Sequence, residues 1–159
     1  MIDTDKCVEC TACHKVCQVG QKPDCHEPRL WIQGWADNED IRKRSSSGGI
    51  ATALMAAFIE EGGTVCSCTF AHGVFGFDFA ESYDDLRRFV GSKYVKSNPS
   101  GIYKKIKTRL KNGEKILFIG LPCQVAAVKK YVGDKLAKCL YTVDLICHGS
   151  PSPKLLDMF

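Results

Sequence analysis

The pattern of hydrophobic and polar positions separates a polar, cysteine-rich start from a longer stretch with regular elements. Apolar residues at helical spacing predict helices, and short apolar runs bounded by glycines predict strands. The run at 50–59 is apolar on most faces, so we expect its helix to be well buried. The predicted helices cover 50–61, 84–89, 101–111, 125–132 and 154–159, and the predicted strands cover 30–35, 64–70, 74–79, 115–120 and 140–147.

The order of these elements predicts an α/β fold of the mixed α+β kind. We expect a ferredoxin-like, cluster-binding segment over residues 1–28, followed by an open mixed or parallel sheet with flanking helices in a domain over 29–159. The first segment lacks the large apolar side chains of a core, so a metal must organise it. The last predicted helix stops after about two turns, so either this helix is terminal or the sequence is a fragment.

Composition and charge narrow the functional classes. The chain has 159 residues and a net charge of +4, and no basic helix is interleaved with aromatic residues, so we expect no nucleic-acid partner. The longest apolar stretch is too short to cross a bilayer, and no signal peptide opens the chain. Ten cysteines without an export signal indicate the reducing cytoplasm.

The cysteines near the start form the most specific motif in the chain. Their C-x2-C-x2-C-x3-C spacing is that of a bacterial ferredoxin, whose thiolates hold a 4Fe–4S cluster. A zinc site or unpaired thiols are the alternatives. Gln18 replaces the usual proline after the last cysteine, which leaves the fourth ligand open between Cys17 and Cys25. The motif itself is Cys7, Cys10, Cys13 and Cys17.

Two loops have the composition of a phosphate-binding site. The first precedes the helix predicted at 50–61, where free N–H groups and the helix dipole favour an anion, although a capped flexible lead-in fits equally well. In the second, Lys93 can neutralise a phosphate and Tyr94 can stack on a flat ring, or the loop is simply polar. The loop residues are Arg44, Ser45, Ser46, Ser47, Gly48 and Gly49 in the first, and Gly91, Ser92, Lys93 and Tyr94 in the second.

Chemistry-bearing side chains also follow two predicted buried strands. Cys123 comes just after the strand at 115–120, and Cys147 and His148 close the strand at 140–147. If these strands are parallel, both cysteines emerge at the same sheet edge, where open α/β folds bind ligands. The alternative is that both are small buried hydrophobic residues. For Cys66, Cys68 and Cys139 we expect packing positions.

Taken in order, these motifs resemble the beta-subunit family of coenzyme F420 hydrogenase/dehydrogenase. The resemblance runs from Cys7 to Phe159. Family members are longer, so the resemblance implies that the domain over 29–159 is truncated at its C-terminus. It rests on the leading cysteine motif and on Arg-Ser-Ser-Ser-Gly-Gly at 44–49, Gly-Ser-Lys-Tyr at 91–94, Leu-Phe-Ile-Gly-Leu-Pro-Cys-Gln at 117–124 and Val-Asp-Leu-Ile-Cys-His-Gly-Ser-Pro-Ser-Pro at 143–153.

The resemblance implies an iron–sulfur flavoprotein that binds FAD and one or two 4Fe–4S clusters. It would pass electrons between a cluster and a two-electron carrier such as coenzyme F420. It would work with a redox partner protein or ferredoxin, in a possible hetero-oligomer. On this basis the two polar loops are flavin-site candidates, and Cys123 and Cys147 are candidates for cluster ligation or flavin-side chemistry. A second cluster could draw on Cys17, Cys25, Cys123 and Cys147.

We therefore expect an oxidoreductase, with Cys123 and His148 as candidate catalytic residues and Cys147 as a candidate metal ligand. Two other classes stay open: a non-catalytic protein for electron relay or docking that carries a 4Fe–4S cluster, and a zinc or thiol redox protein. Bound flavin distinguishes the enzyme from the relay protein. Metal content distinguishes both from the zinc protein.

Overall fold

The computed structural model of the protein describes residues 4–15, 17, 19–20, 26–151 and 153–158. These residues form one four-stranded sheet with helices packed on both of its faces. The strands are β1 (Thr64–Ala71), β2 (Val74–Ala80), β3 (Ile116–Gly120) and β4 (Leu140–Asp144). The helices are α1 (Ala12–Lys15), α2 (Glu39–Arg44), α3 (Ile50–Glu60), α4 (Ile102–Lys111), α5 (Pro122–Val132) and α6 (Asp134–Ala137), with 3₁₀ helices at Thr4–Lys6, Asp84–Arg88 and Pro153–Met158.

The sheet is mixed, in the order β2-β1-β3-β4. β1 and β2 form an antiparallel hairpin, whereas β1 with β3 and β3 with β4 are parallel. Its hairpin turn places His72 and Gly73 at φ angles of 51° and 76°, the pair of left-handed residues that a type I′ turn requires. The predicted α/β class, open mixed sheet, hairpin and parallel β3–β4 pair are therefore confirmed.

Two hydrophobic cores lie on opposite faces of the sheet, and β3 contributes to both. Successive side chains of a strand point to opposite faces. Ile116 and Phe118 accordingly pack with α4 and α5, while Leu117 and Ile119 pack with α3. All five residues of β3 are buried, as expected for a central parallel strand covered on both sides.

Two expectations about apolar segments are wrong. The predicted strand at 30–35 is not formed, because no strand among the described residues hydrogen-bonds to it, and Trp31 and Ile32 are more than four-fifths exposed. The helix α3 is only partly buried: Met55 and Ala56 face the sheet, but Ile50 and Leu54 are each 45% exposed. α3 covers one face of the sheet and has no further layer over it within the described residues.

Other differences concern boundaries and short elements. Pro122 begins α5, so the turn predicted at 121–124 is already the first turn of that helix; proline is tolerated there because the first helical N–H has no partner. The strand predicted at 140–147 ends at Asp144. The short helices predicted near 84–89 and 154–159 are 3₁₀ helices, and α2 was not predicted. Within the described residues, no helix has the length and apolarity to cross a bilayer.

Candidate functional site

The main cleft of the molecule opens at the carboxyl ends of the parallel strands. Its volume is about 710 Å³, within the usual range of small-molecule sites. Ser67 and Cys68 of β1, Gly120 at the end of β3 and the segment after β4 contribute to its wall. Open α/β sheets bind ligands at this edge. The predicted site residues that line it are Ser45, Ser46, Ser47, Gly48, Gly49, Ser92, Lys93, Tyr94, Cys147 and His148.

The Ser/Gly loop enters the cleft as the lead-in to α3. Gly49 occupies the N-cap with a φ of 80°, and no side chain caps the first turn. The first-turn residues Ile50, Ala51 and Thr52 line the cleft. By contrast, the Asn38 side chain caps α2 by accepting bonds from two backbone N–H groups. The start of α3 therefore presents uncapped backbone donors, together with its dipole, to the cleft.

The loop is held in this position by contacts that sequence reasoning did not identify. The Ala36 N–H donates to the Gly48 carbonyl at 2.7 Å, and the Ser45 hydroxyl donates to the Ile41 carbonyl at 2.7 Å. A Cβ on Gly48 would lie 3.2 Å from both the Gly34 carbonyl oxygen and the Trp35 Cβ. The residues around Trp35 thus back the Ser/Gly loop, although they form no strand.

The two polar loops meet directly, because the Ser92 N–H donates to the Ser46 hydroxyl at 2.9 Å. Lys93 turns inward and donates to the carbonyls of Phe89 at 2.7 Å and Val90 at 3.0 Å. Burial lowers the pKa of Lys93. Two of the three ammonium protons are therefore engaged, which leaves this lysine less free for a phosphate than expected. Tyr94 is 79% exposed at the cleft, so its ring is open to stacking.

Some of the remaining candidate residues line the cleft, and others lie outside it. Cys147 and His148 are exposed and line the cleft, and the Gly149 N–H donates to the Cys147 sulfur at 3.4 Å. Cys123 is the second residue of α5, half-buried, and does not line the cleft. Arg44 is the last residue of α2 and is also outside the cleft lining.

A hydrogen-bonded chain at the cleft wall was missed by sequence reasoning. The buried Gln124 side chain donates to the Ser97 carbonyl at 3.0 Å and accepts from the Leu121 N–H at 3.0 Å. The Ser97 hydroxyl is also bonded to Cys68, which was expected to be a packing residue. All four residues line the cleft. Leu121 and Gln124 belong to the motif at 117–124, whereas tertiary packing brings Ser97 and Cys68 to them.

The remaining cysteines follow the expectation. Cys66 is fully buried in the core with α4 and α5, and burial raises the pKa of its thiol. Cys139 packs at the edge of the same core. Neither thiol lines the cleft.

The N-terminal cysteines lie on an open loop around α1. Cys7, Cys10 and Cys13 are exposed and Cys17 is half-buried, while Cys25 lies outside the described residues. Within the described part of the chain, no three His, Cys, Asp or Glu side chains are close enough to hold a metal ion. Backbone N–H groups of Gly20 and then Val19 lower the pKa of Cys17 by stabilising its thiolate.

A second cavity, of about 590 Å³, lies at the opposite end of the sheet. Its wall includes Arg109, which pairs with Glu81 at 2.6 Å and Glu114 at 3.0 Å. None of the predicted site residues lines it. Its charged groups are paired with one another, so the cleft at the carboxyl ends of the strands is the better candidate site.

The fold and the cleft define an α/β protein with a small-molecule site at the carboxyl ends of its parallel strands. Two family models describe the beta subunit of coenzyme F420 hydrogenase/dehydrogenase: residues 31–102 match the model of its N-terminal part, and residues 113–159 match the model of its C-terminal part. The chain therefore belongs to the coenzyme F420 hydrogenase/dehydrogenase beta-subunit family. Members of this family are subunits of oxidoreductase complexes.

A solved structure supports the same family. The chain is similar to a chain of the F420-reducing NiFe hydrogenase complex from Methanosarcina barkeri, solved as a xenon derivative, with 30% sequence identity and a TM-score of 0.62. The match covers 77% of this chain and 45% of that chain, so this protein spans less than half the length of its relative. No match was found among curated proteins.

Proposed function

We propose that this protein is an iron–sulfur flavoprotein that moves electrons between a 4Fe–4S cluster and FAD, and from there to or from a two-electron carrier such as coenzyme F420. The observation that carries the proposal is the cleft, where two polar loops distant in sequence meet through the Ser92–Ser46 hydrogen bond beside an uncapped helix start. Family membership and the F420-reducing complex from M. barkeri supply the chemical class.

The cleft suits a dinucleotide such as FAD. The uncapped first turn of α3 and the glycines before it offer backbone donors to a pyrophosphate, and no side chain competes for them. Ser46 and Ser92 supply further polar groups, and the exposed ring of Tyr94 offers a stacking surface. The bound flavin would supply the exchange between two-electron and one-electron chemistry. The chain's own residues would bind it, orient it and exclude water.

The N-terminal loop suits a cluster by its donor chemistry. Cys7, Cys10, Cys13 and Cys17 supply four soft sulfur ligands at ferredoxin spacing, with Cys25 as the alternative fourth ligand. Glu9 and Thr11 have left-handed φ angles of 53° and 58°, which curl the backbone tightly between these cysteines. The exposed thiols leave room for an inorganic group, and metal binding would bring them together.

The remaining candidate residues differ in their position relative to the cleft. Cys147 and His148 line the cleft, so we assign them ligand or proton-donor roles next to the flavin. Cys123 sits in the first turn of α5, outside the cleft lining, and Arg44 adds positive charge behind the Ser/Gly loop. We treat residues 1–28 as the cluster segment and 29–159 as the flavin-associated domain.

The proposal is tested by reconstituting the full chain anaerobically with iron and sulfide and then titrating it with FAD. We expect about four irons per cluster with broad absorption near 400 nm, quenching of flavin fluorescence on binding, and reduction of the bound flavin by reduced coenzyme F420. Iron without flavin binding would favour the electron-relay alternative. One equivalent of zinc without sulfide would overturn the proposal in favour of a zinc protein.

A further inference from the structure

The basic side chains of the protein are concentrated on one side of the sheet. Residues 104–138 contain ten Lys and Arg against two acidic residues, a net charge of +8. The whole chain carries +4, so the remainder carries −4. This segment forms α4, α5 and α6, which pack on the same face of the sheet.

Six lysines on these helices or directly after them define what we call the basic face. Within the described residues, none of their ammonium groups forms an ion pair. Elsewhere, several basic side chains are paired with nearby carboxylates: Lys43 pairs with Glu39, Arg87 with Asp84, and Arg88 with Asp78. The basic face consists of Lys104, Lys105, Lys111, Lys129, Lys135 and Lys138, all exposed.

The chemistry of this face favours a protein partner over a membrane or a nucleic acid. No large hydrophobic side chain between residues 102 and 138 is exposed, so the face has neither apolar anchors for a bilayer nor free rings for stacking on bases. It uses lysine, a hydrated point charge, rather than the bidentate arginine that grips phosphate. Clustered, unpaired charge without an apolar centre suits transient, electrostatically steered docking.

We propose that the basic face is the docking surface for an acidic, one-electron redox protein. This inference rests on the proposed electron-transfer function, since the partner would exchange electrons with the cofactors. The position is suitable: Gln124 in the first turn of α5 lines the cleft, and Lys129 follows it by five residues, about 7.5 Å along the helix axis. Redox encounters of this type bury little surface and weaken with salt.

Binding of an acidic ferredoxin to the reconstituted full chain, measured by calorimetry in 50 mM and 300 mM NaCl, tests the proposal. The test variant carries Lys104→Glu, Lys129→Glu and Lys135→Glu, one exposed position on each helix. The control carries Lys43→Glu, Arg87→Glu and Lys96→Glu, exposed positions elsewhere with the same change in net charge. We expect at least about tenfold weaker binding for the test variant, less than about threefold for the control, and a clear loss with salt.

Equal weakening by both variants, binding that does not depend on salt, or no binding at 50 mM NaCl would overturn the docking proposal. So would tighter, lysine-dependent binding of a single-stranded oligonucleotide or of phosphatidylserine vesicles. The measurement needs no turnover and no flavin. A failed FAD titration would therefore count against the proposed function while leaving the docking result independent of it.

Discussion

The cysteine loop and the cleft are built in opposite ways. Cys7, Cys10 and Cys13 lie within seven residues of one another, yet all are exposed and none belongs to a hydrophobic core in the part of the chain that the structure describes. The cleft draws on loops near residues 46, 92 and 147, which the sheet and its two cores bring together. On the proposed function, the first region would be organised by the cluster that it binds, whereas the second is preorganised by burial of apolar residues.

This difference predicts that the two regions fail independently. Removing a ligand from the cysteine loop should abolish metal binding without affecting the core. A mutation that weakens the core should impair the cleft before it impairs metal binding by the cysteine loop.

The largest expected effect comes from replacing both Cys10 and Cys13 with Ser. Hydroxyl groups are hard ligands and hold iron–sulfur clusters poorly, so we expect iron and the absorption near 400 nm to fall to background. The thermal unfolding midpoint and FAD binding should stay close to wild type, because neither residue contacts the core. Iron analysis and calorimetry check this. Cys139→Ser, outside the motif, should keep its iron; iron retained by the double variant would refute the assignment.

The next effect is on the core that forms the cleft. Phe118 is fully buried and stacks on Phe77 with ring centroids 5.2 Å apart. We expect Phe118→Ala to lower the free energy of unfolding by about 3–5 kcal/mol, measured by urea denaturation. Phe70→Ala, at a position that is 54% exposed, is the control and should cost less than about 1 kcal/mol. Similar losses in the two variants would show that the sheet is not the support of the cleft.

Sequence patterns predicted most of the fold, because burial imposes periodicity. The sequence shows a continuous apolar run in β3 and helical spacing of the apolar residues Ile102, Ile106 and Leu110 in α4. It also shows the glycines that end several elements. The segment 30–35 was misread because a strand needs a hydrogen-bonding neighbour, which local sequence does not reveal. α2 was missed because a helix of six mostly charged residues has no apolar stripe to detect.

The candidate site was predictable only where its chemistry is local. Glycine and serine before α3 indicate a helix start, and the spacing of the cysteines indicates the metal ligand set that we propose. Ser97 and Cys68 are 29 residues apart. Their contact depends on how the loop after the 3₁₀ helix at Asp84–Arg88 packs against β1. The inward orientation of the Lys93 side chain could not be predicted either, because the backbone conformation of residues 89–93 determines which carbonyls it meets.

A smaller effect is expected at Gln124, which ties the start of α5 to the loop at Ser97. Gln124→Leu removes two hydrogen bonds and leaves a buried carbonyl and N–H without these partners, a cost of about 1–3 kcal/mol. Because both partners line the cleft, we expect FAD affinity to fall about tenfold at a temperature where the variant is fully folded. Flavin fluorescence titration and thermal melting separate the two effects. The control Gln33→Leu, on the exposed segment, should change neither FAD affinity nor stability. Unchanged FAD affinity in the Gln124 variant would show that Gln124 does not support the cleft.

The smallest expected effect is a change of stability with pH, which tests whether α4 supports the cleft. Tyr103 on α4 donates to the Gln124 carbonyl at 3.3 Å, and burial, followed by the nearby Cys123 and Cys66 thiols, raises its pKa to about 12. The phenol of an unfolded chain ionises near pH 10. Between about pH 10 and 12 the unfolded chain therefore binds fewer protons than the folded chain, and stability falls as pH rises.

We expect this loss to be about 1–2 kcal/mol, less than the full two-unit shift implies, because the side chain is only partly buried. Urea denaturation of wild type and Tyr103→Phe at pH 9 and pH 11.5 measures it as the difference between the two proteins, which cancels the titration of other groups. Tyr83→Phe, at a position that is 50% exposed, should keep the wild-type loss. If Tyr103→Phe also shows the wild-type loss of stability, the phenol is not held against α5. In that case α4 does not give the cleft the packed support that the cysteine loop lacks.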